Sequence, residues 1–124
     1  ATRALLPEAR IFGAEPTGAD DAARSLAAGH LIPQTGPNTI CDGLLTSLSD
    51  LTYGILSEHL EDIITVTDDE VLAAMSLIRT HLDIVVEPSS ATVLAAVLSP
   101  EFSALSGIDS LGLILSGGNV DPEE

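Results

Sequence analysis

The feature that most constrains this chain is an alternation of strand-like and helix-like stretches. A short, continuous apolar run stops abruptly on glycine, proline, serine or acid, and a helical segment follows. "RIFGAE" (Arg10–Glu15) stops at a turn, and "ADDAARSLAAG" follows with acids in its first turn and Gly29 as its stop. "DIITVT" (Asp62–Thr67) is β-branched and runs into "TDDE", a threonine three residues before Glu70, which is a capping box. Val71, Ala74, Met75, Ile78 and Leu82 then recur at helical spacing. "IVVEP" is stopped by Pro88, and "SSATVLAAVL" is an apolar helix closed by Pro100. "LGLIL" (Leu111–Leu115) ends on Ser116, Gly117, Gly118 and Asn119, ahead of a frayed "DPEE" tail. His30 to Gly43, with Pro33, Gly36 and Pro37, reads as loop, and Leu51 to Leu60 as helix. Strands that alternate with helices and are apolar throughout, rather than at every second residue, predict an α/β fold with a mainly parallel sheet covered by helices. In such sheets ligands bind outside the carboxyl ends of the strands.

Charge and composition narrow the partners. Acids outnumber bases 19 to 4, for a net charge of −15. That argues against nucleic acid and anionic membrane and favours a cation or a more basic polypeptide. The four bases are Arg3, Arg10, Arg24 and Arg79, so the chain has no lysine. One cysteine, Cys41, permits no internal disulfide, and the expected compartment is reducing, hence cytoplasmic. No apolar run is long enough for a membrane helix. A chain this aliphatic, with Phe12, Phe102 and Tyr53 as its only aromatics, needs cover for several faces.

Four stretches invite a functional reading, each beside a plainer one. In "EPTGADD", Glu15 at a strand end, the Ala19 carbonyl and Asp21 supply hard oxygen donors suited to Mg²⁺ or Ca²⁺. Alternatively, Asp20 and Asp21 simply cap a helix. In "VVEPSSA", Glu87 follows apolar residues and is expected to be partly buried. The plainer reading is an exposed charge ahead of a helix capped by Ser89 or Ser90. "SGGN" allows a ring or phosphate to lie against the backbone, or is only a turn. Cys41 reads as a small packed residue, and no histidine pair has metal-ligand spacing.

Taken together and in order, "GAEPTGADDA", "HLIPQTGPNTICDG", "IITVTDDEVLAAM", "VVEPSSATVLAAVL" and "LILSGGNVD" resemble the later part of serine racemases and serine/threonine dehydratases. These are fold-type II (tryptophan synthase β-like) enzymes that use pyridoxal 5′-phosphate (PLP). The resemblance runs from about Arg10 to Asp121. It implies that Ser116 meets the pyridine nitrogen of PLP, that Glu87 lies beside the cofactor, and that the Gly43 backbone lines its pocket. It also implies that Glu15, the Ala19 carbonyl and Asp21 hold Mg²⁺, Ca²⁺ or Mn²⁺. Two positions depart from the family: Cys41 stands where alanine is usual, and Ser90 where many dehydratases have glycine. More important, the family's Schiff-base lysine and glycine-rich phosphate loop have no counterpart here. The chain is therefore expected to be the C-terminal part of the large PLP-binding domain, with no catalytic residue of its own. Its expected partners are the preceding part of the same enzyme, a small amino-acid substrate and a second copy in a homodimer. A non-catalytic cation-binding or interaction piece is the alternative. Elimination and racemisation are equally compatible with these residues, as are serine, threonine and hydroxyaspartate as substrates.

Overall fold

The computed structural model describes residues 1–121. Six α-helices and two strands alternate along it: α1 (Thr2–Leu5), β1 (Phe12–Pro16), α2 (Asp21–Ala28), α3 (Asp50–His59), β2 (Asp62–Val66), α4 (Asp68–Leu82), α5 (Pro88–Val97) and α6 (Pro100–Ser103). Single 3₁₀ turns occupy Thr17–Ala19 and Asp42–Leu44. The strands pair in parallel, with Phe12 opposite Asp62 and Pro16 opposite Val66. Both carboxyl ends therefore leave the sheet at one edge.

Ile63 and Ile64 are both buried although they point to opposite faces of β2. The sheet is thus covered on both sides, as its unbroken apolar runs predict. On the Ile64 face, Val66, Val71, Ala74 and Ile78 join Ala91, Ala95 and Ala96 in one core. The small alanines of α5 allow it to pack closely on α4 and on both strands. The stripe expected on α4 holds at Val71, Ala74 and Ile78, whereas Met75 is only half-buried and Leu82 is exposed at the last turn.

Helix ends follow local chemistry. The Thr67 hydroxyl accepts from Glu70 N–H at 3.2 Å, and the Glu70 carboxylate accepts from Thr67 N–H at 3.0 Å, completing the capping box. Ser49 and Thr52 form the same box for α3. Asp83 ends α4 in the left-handed region (φ 55°), donating its N–H to the Arg79 carbonyl.

Two expected strands are not strands among the described residues. Residues 84–86 and 111–115 carry no ladder. They meet at their ends through one backbone bond, Glu87 N–H to the Gly117 carbonyl at 3.3 Å. Ile114 is 81% exposed, and Ile84, Val85, Leu111 and Leu113 are exposed too. An apolar, β-branched run records fitness for a covered sheet and does not itself supply the neighbour. Smaller corrections are that β1 is shifted to Phe12–Pro16 and α3 ends at His59. Of the expected tail, Pro122 to Glu124 lie outside the described residues.

Val71 is fully buried on α4, in the core cluster that also holds Ile64, Val66 and the alanines of α5. Val71→Ala removes two methyl groups and leaves a cavity, and is expected to cost about 2 kcal/mol. Thr67→Ala, which removes only the cap, is expected to cost about 1 kcal/mol. Urea midpoints of the two variants should fall in that order.

Candidate functional site

The carboxyl edge of the sheet gathers the residues singled out by sequence. At the end of β1, the Glu15 carboxylate accepts the N–H groups of Ala22 (3.2 Å) and Ala23 (2.9 Å), the free donors at the start of α2. The strand end thus caps the helix, and neither Asp20 nor Asp21 does. Asp20 pairs instead with Arg24 one turn on, at 2.9 Å. Asp21 is 2% exposed. Its Oδ1 accepts from the Gln34 side-chain amide at 3.2 Å, and its Oδ2 is buried with no hydrogen-bond partner. A buried carboxylate oxygen without a donor is costly unless a cation or proton meets it. Ala19, between the two acids, is also buried. Burial pushes the Glu15 carboxyl up to about 6, against the pull of its two backbone donors, and the neighbouring Asp21 and Asp20 add to the rise. Among the described residues no group of three or more histidine, cysteine or acidic side chains is placed to hold a metal. A cation here would rely on two carboxylates and main-chain oxygen.

The second cluster forms at the start of α5. Glu87 is the residue before the helix, half-buried, and Pro88 follows at the first helical position. No side chain caps this helix: the Ser89 hydroxyl accepts the Gly43 N–H at 2.9 Å, and Ser90, 5% exposed, keeps its hydroxyl without a partner. Glu87 also meets the turn after Leu115. Gly117 has φ +79°, and a Cβ built there would lie 1.9 Å from Glu87 Oε1. Ser116, exposed, is the preceding residue. Gly43, Glu87 and the Gly117 turn that follows Ser116, separate in sequence, thus meet at one helix start. Next to them lies an open cavity of about 700 Å³, whose lining includes Asp42, Pro88, Gly118 and Asn119. Cys41 is fully buried in the core, where desolvation raises its thiol above the usual range, in keeping with a packed residue.

The family model described as pyridoxal-phosphate dependent enzyme matches residues 1–117. The chain belongs to that family. It is 48% identical over 121 residues to serine racemase of Dictyostelium discoideum, covering 96% of this chain and 37% of that protein. It is 49% identical over 118 residues to beta-hydroxyaspartate dehydratase of Paracoccus denitrificans, covering 94% and 36%. The solved structure of maize serine racemase superposes with a TM-score of 0.95 at 44% identity, covering 99% of this chain and 38% of that one. The chain therefore spans little more than a third of the length of these relatives. The α/β architecture of fold-type II PLP enzymes, expected from sequence, is borne out. No helix among the described residues is long and apolar enough to cross a membrane.

Sequence reasoning missed the partners that hold these residues. Gln34 on Asp21 and Ser89 on Gly43 carry no signal in a linear pattern, because each contact joins a loop to a distant element.

Two outcomes follow. Glu15 binds its proton up to about pH 6 when folded and near 4.5 when unfolded. The folded state thus holds the extra proton between those values, and stability present below the lower value is lost as pH rises through the upper one. Glu15→Gln should flatten that part of the stability–pH curve, measured by urea unfolding with chelator present. Gly117→Ala should destabilise more than Gly29→Ala. Both sit at positive φ, costing roughly 1–2 kcal/mol for a side chain, but at Gly29 nothing lies within 4 Å. Equal losses would mean that Glu87 does not press on Gly117.

Proposed function

We propose that this chain is the C-terminal part of the large domain of a PLP-dependent enzyme acting on hydroxy-amino acids. The enzyme is either a dehydratase that releases a 2-oxo acid and ammonia or a racemase. The observation that supports the reading is the meeting of Glu87, Gly43 and the Gly117 turn, which follows Ser116, at the start of α5 beside a cavity lined by Asp42, Pro88 and Gly118. The relatives named as racemase and dehydratase support the substrate class.

The residues present fit the coenzyme. An exposed hydroxyl at Ser116 is a neutral hydrogen-bonding partner for a pyridine nitrogen, and the side-chain-free Gly117 and Gly118 leave the backbone open to a flat ring. PLP, when bound, supplies an electron sink for the bond broken at the substrate Cα. Ser116 tunes that sink: a hydroxyl holds no proton on the nitrogen, as a carboxylate would, so the ring withdraws electrons less strongly. A substrate with a β-hydroxyl leaving group suits such a site. The Glu87 N–H holds the Gly117 turn at the helix start, and the Gly43 main chain, tied to Ser89, would line the same pocket.

Glu15, the Ala19 carbonyl and Asp21 would hold Mg²⁺, or Ca²⁺ or Mn²⁺. The unpartnered, buried Asp21 Oδ2 supports this, because a hard cation satisfies an oxygen that no donor reaches. The exposed Ile84, Val85, Leu113 and Ile114 would be covered by the preceding part of the enzyme, which would also bring the lysine this chain lacks. A reducing compartment and a homodimer complete the proposal.

In the intact enzyme, Ser116→Ala is expected to lower kcat for β-elimination on the order of 10²-fold while PLP remains bound. Calorimetric titration with Mg²⁺ should give heat that Asp21→Ala abolishes. An intact enzyme with no visible coenzyme absorbance would refute the PLP reading, and heat unchanged by Asp21→Ala would refute the cation site.

A further inference from the structure

Residues 38–44, between α2 and α3, pass from beside the turn after β1, where Asn38 N–H donates to the Gly18 carbonyl at 2.9 Å, to beside the start of α5, with a single 3₁₀ turn as their only regular structure. Ile40, Asp42 and Gly43 are exposed, yet Cys41 among them is fully buried. An exposed loop keeps one path only if its backbone is held. Asp68, the first residue of α4, holds it. The Thr39 hydroxyl donates to Asp68 Oδ1 at 2.5 Å, and the Ile40 N–H donates to Asp68 Oδ2 at 3.2 Å. The Cys41 N–H in turn donates to Thr39 Oγ1 at 3.2 Å. Three consecutive residues hang on one carboxylate, and both of its oxygens are used. The start of α4 favours negative charge there, which keeps these bonds charge-assisted.

Beyond this anchor the chain turns tightly. Asp42 N–H donates to the Ile40 carbonyl at 3.0 Å, and Leu44 N–H to the Cys41 carbonyl at 2.9 Å. The Gly43 N–H then reaches Ser89 Oγ at 2.9 Å. The loop is pinned at one end by α4 and at the other by α5. With so few residues and a hydrogen-bonded turn between the pins, displacement of Thr39 is passed on to Gly43.

We propose that Asp68, acting through Thr39, is a positioning residue that sets where the Gly43 backbone stands in the PLP pocket. The inference rests on the assignment of Gly43 to that pocket. The Thr39 hydroxyl relays the constraint, because it alone contacts both the carboxylate and the Cys41 N–H.

The test uses the intact enzyme, with PLP affinity of the apoenzyme measured by fluorescence titration, the position of the coenzyme absorbance band, and the urea midpoint. Asp68→Asn and Thr39→Val should each weaken PLP binding about tenfold, the equivalent of one lost charge-assisted bond, and should shift the band. The double variant should be no worse than the poorer single one, since both break one relay. Thr39→Ser, which keeps the hydroxyl, should restore affinity to within about twofold. Glu70→Ala is the comparator: it loosens the same helix start by removing the capping-box acceptor without touching the loop, and should lower the midpoint while affinity and band stay put. Wild-type affinity in both Asp68→Asn and Thr39→Val, or a Thr39→Ser variant as poor as Thr39→Val, overturns the proposal. An unaltered enzyme that binds no PLP overturns the pocket assignment itself, and the positioning role falls with it.

Discussion

Parallel pairing of β1 with β2 is the constraint on which the rest of the structure depends. With Glu15 beside Thr65 and Pro16 beside Val66, both strands deliver their next residues to the same edge. The turn that carries Ala19 and Asp21 and the helix start that carries Asp68 are thereby neighbours, although some fifty residues separate them. Antiparallel pairing would send them to opposite ends of the sheet. The sheet stays in place because both its faces are covered, with α5 spanning the two strands on alanines.

From that edge, helix starts do most of the organising. α2 offers free N–H groups to Glu15, α4 presents Asp68 to a loop, and α5 receives Glu87, Gly43 and the Gly117 turn. Each start carries unsatisfied donors and partial positive charge, so acids and carbonyl-rich turns gather there. This explains why Glu15, Asp68 and Glu87 stand at these three helix starts. One exception is chemically informative: Asp21 is buried, yet one of its oxygens has no donor. Ser90 is a second, a buried hydroxyl left unsatisfied where the resemblance leads one to expect glycine in many dehydratases.

Local chemistry read from the sequence held wherever one residue type dictates one geometry. The Thr67–Glu70 box and the Gly29 stop stand as expected, whereas Pro88, read as the end of a strand ahead of a helix from Ser89, is itself the first residue of α5. Reading failed where the outcome depended on a distant neighbour. "IVV" and "LGLIL" have strand composition, but neither forms a ladder among the described residues; they meet only at their ends, where Glu87 N–H reaches the Gly117 carbonyl. Asp20 and Asp21 look like caps, yet Glu15 reaches α2 from the strand and takes the donors first. Ser89 looks like the cap of α5 and serves Gly43 instead.

The sequence by itself determined the α/β class and the helix ends marked by caps, because each follows from residue type at fixed short spacing, while the PLP-dependent family was legible as a resemblance of several motifs in order along the chain. Only the tertiary structure decided which carboxylate caps, which one stays unsatisfied, and which loop residue is held by Asp68. Those outcomes depend on distances between segments brought together by strand pairing and core packing, and spacing along a chain does not encode them.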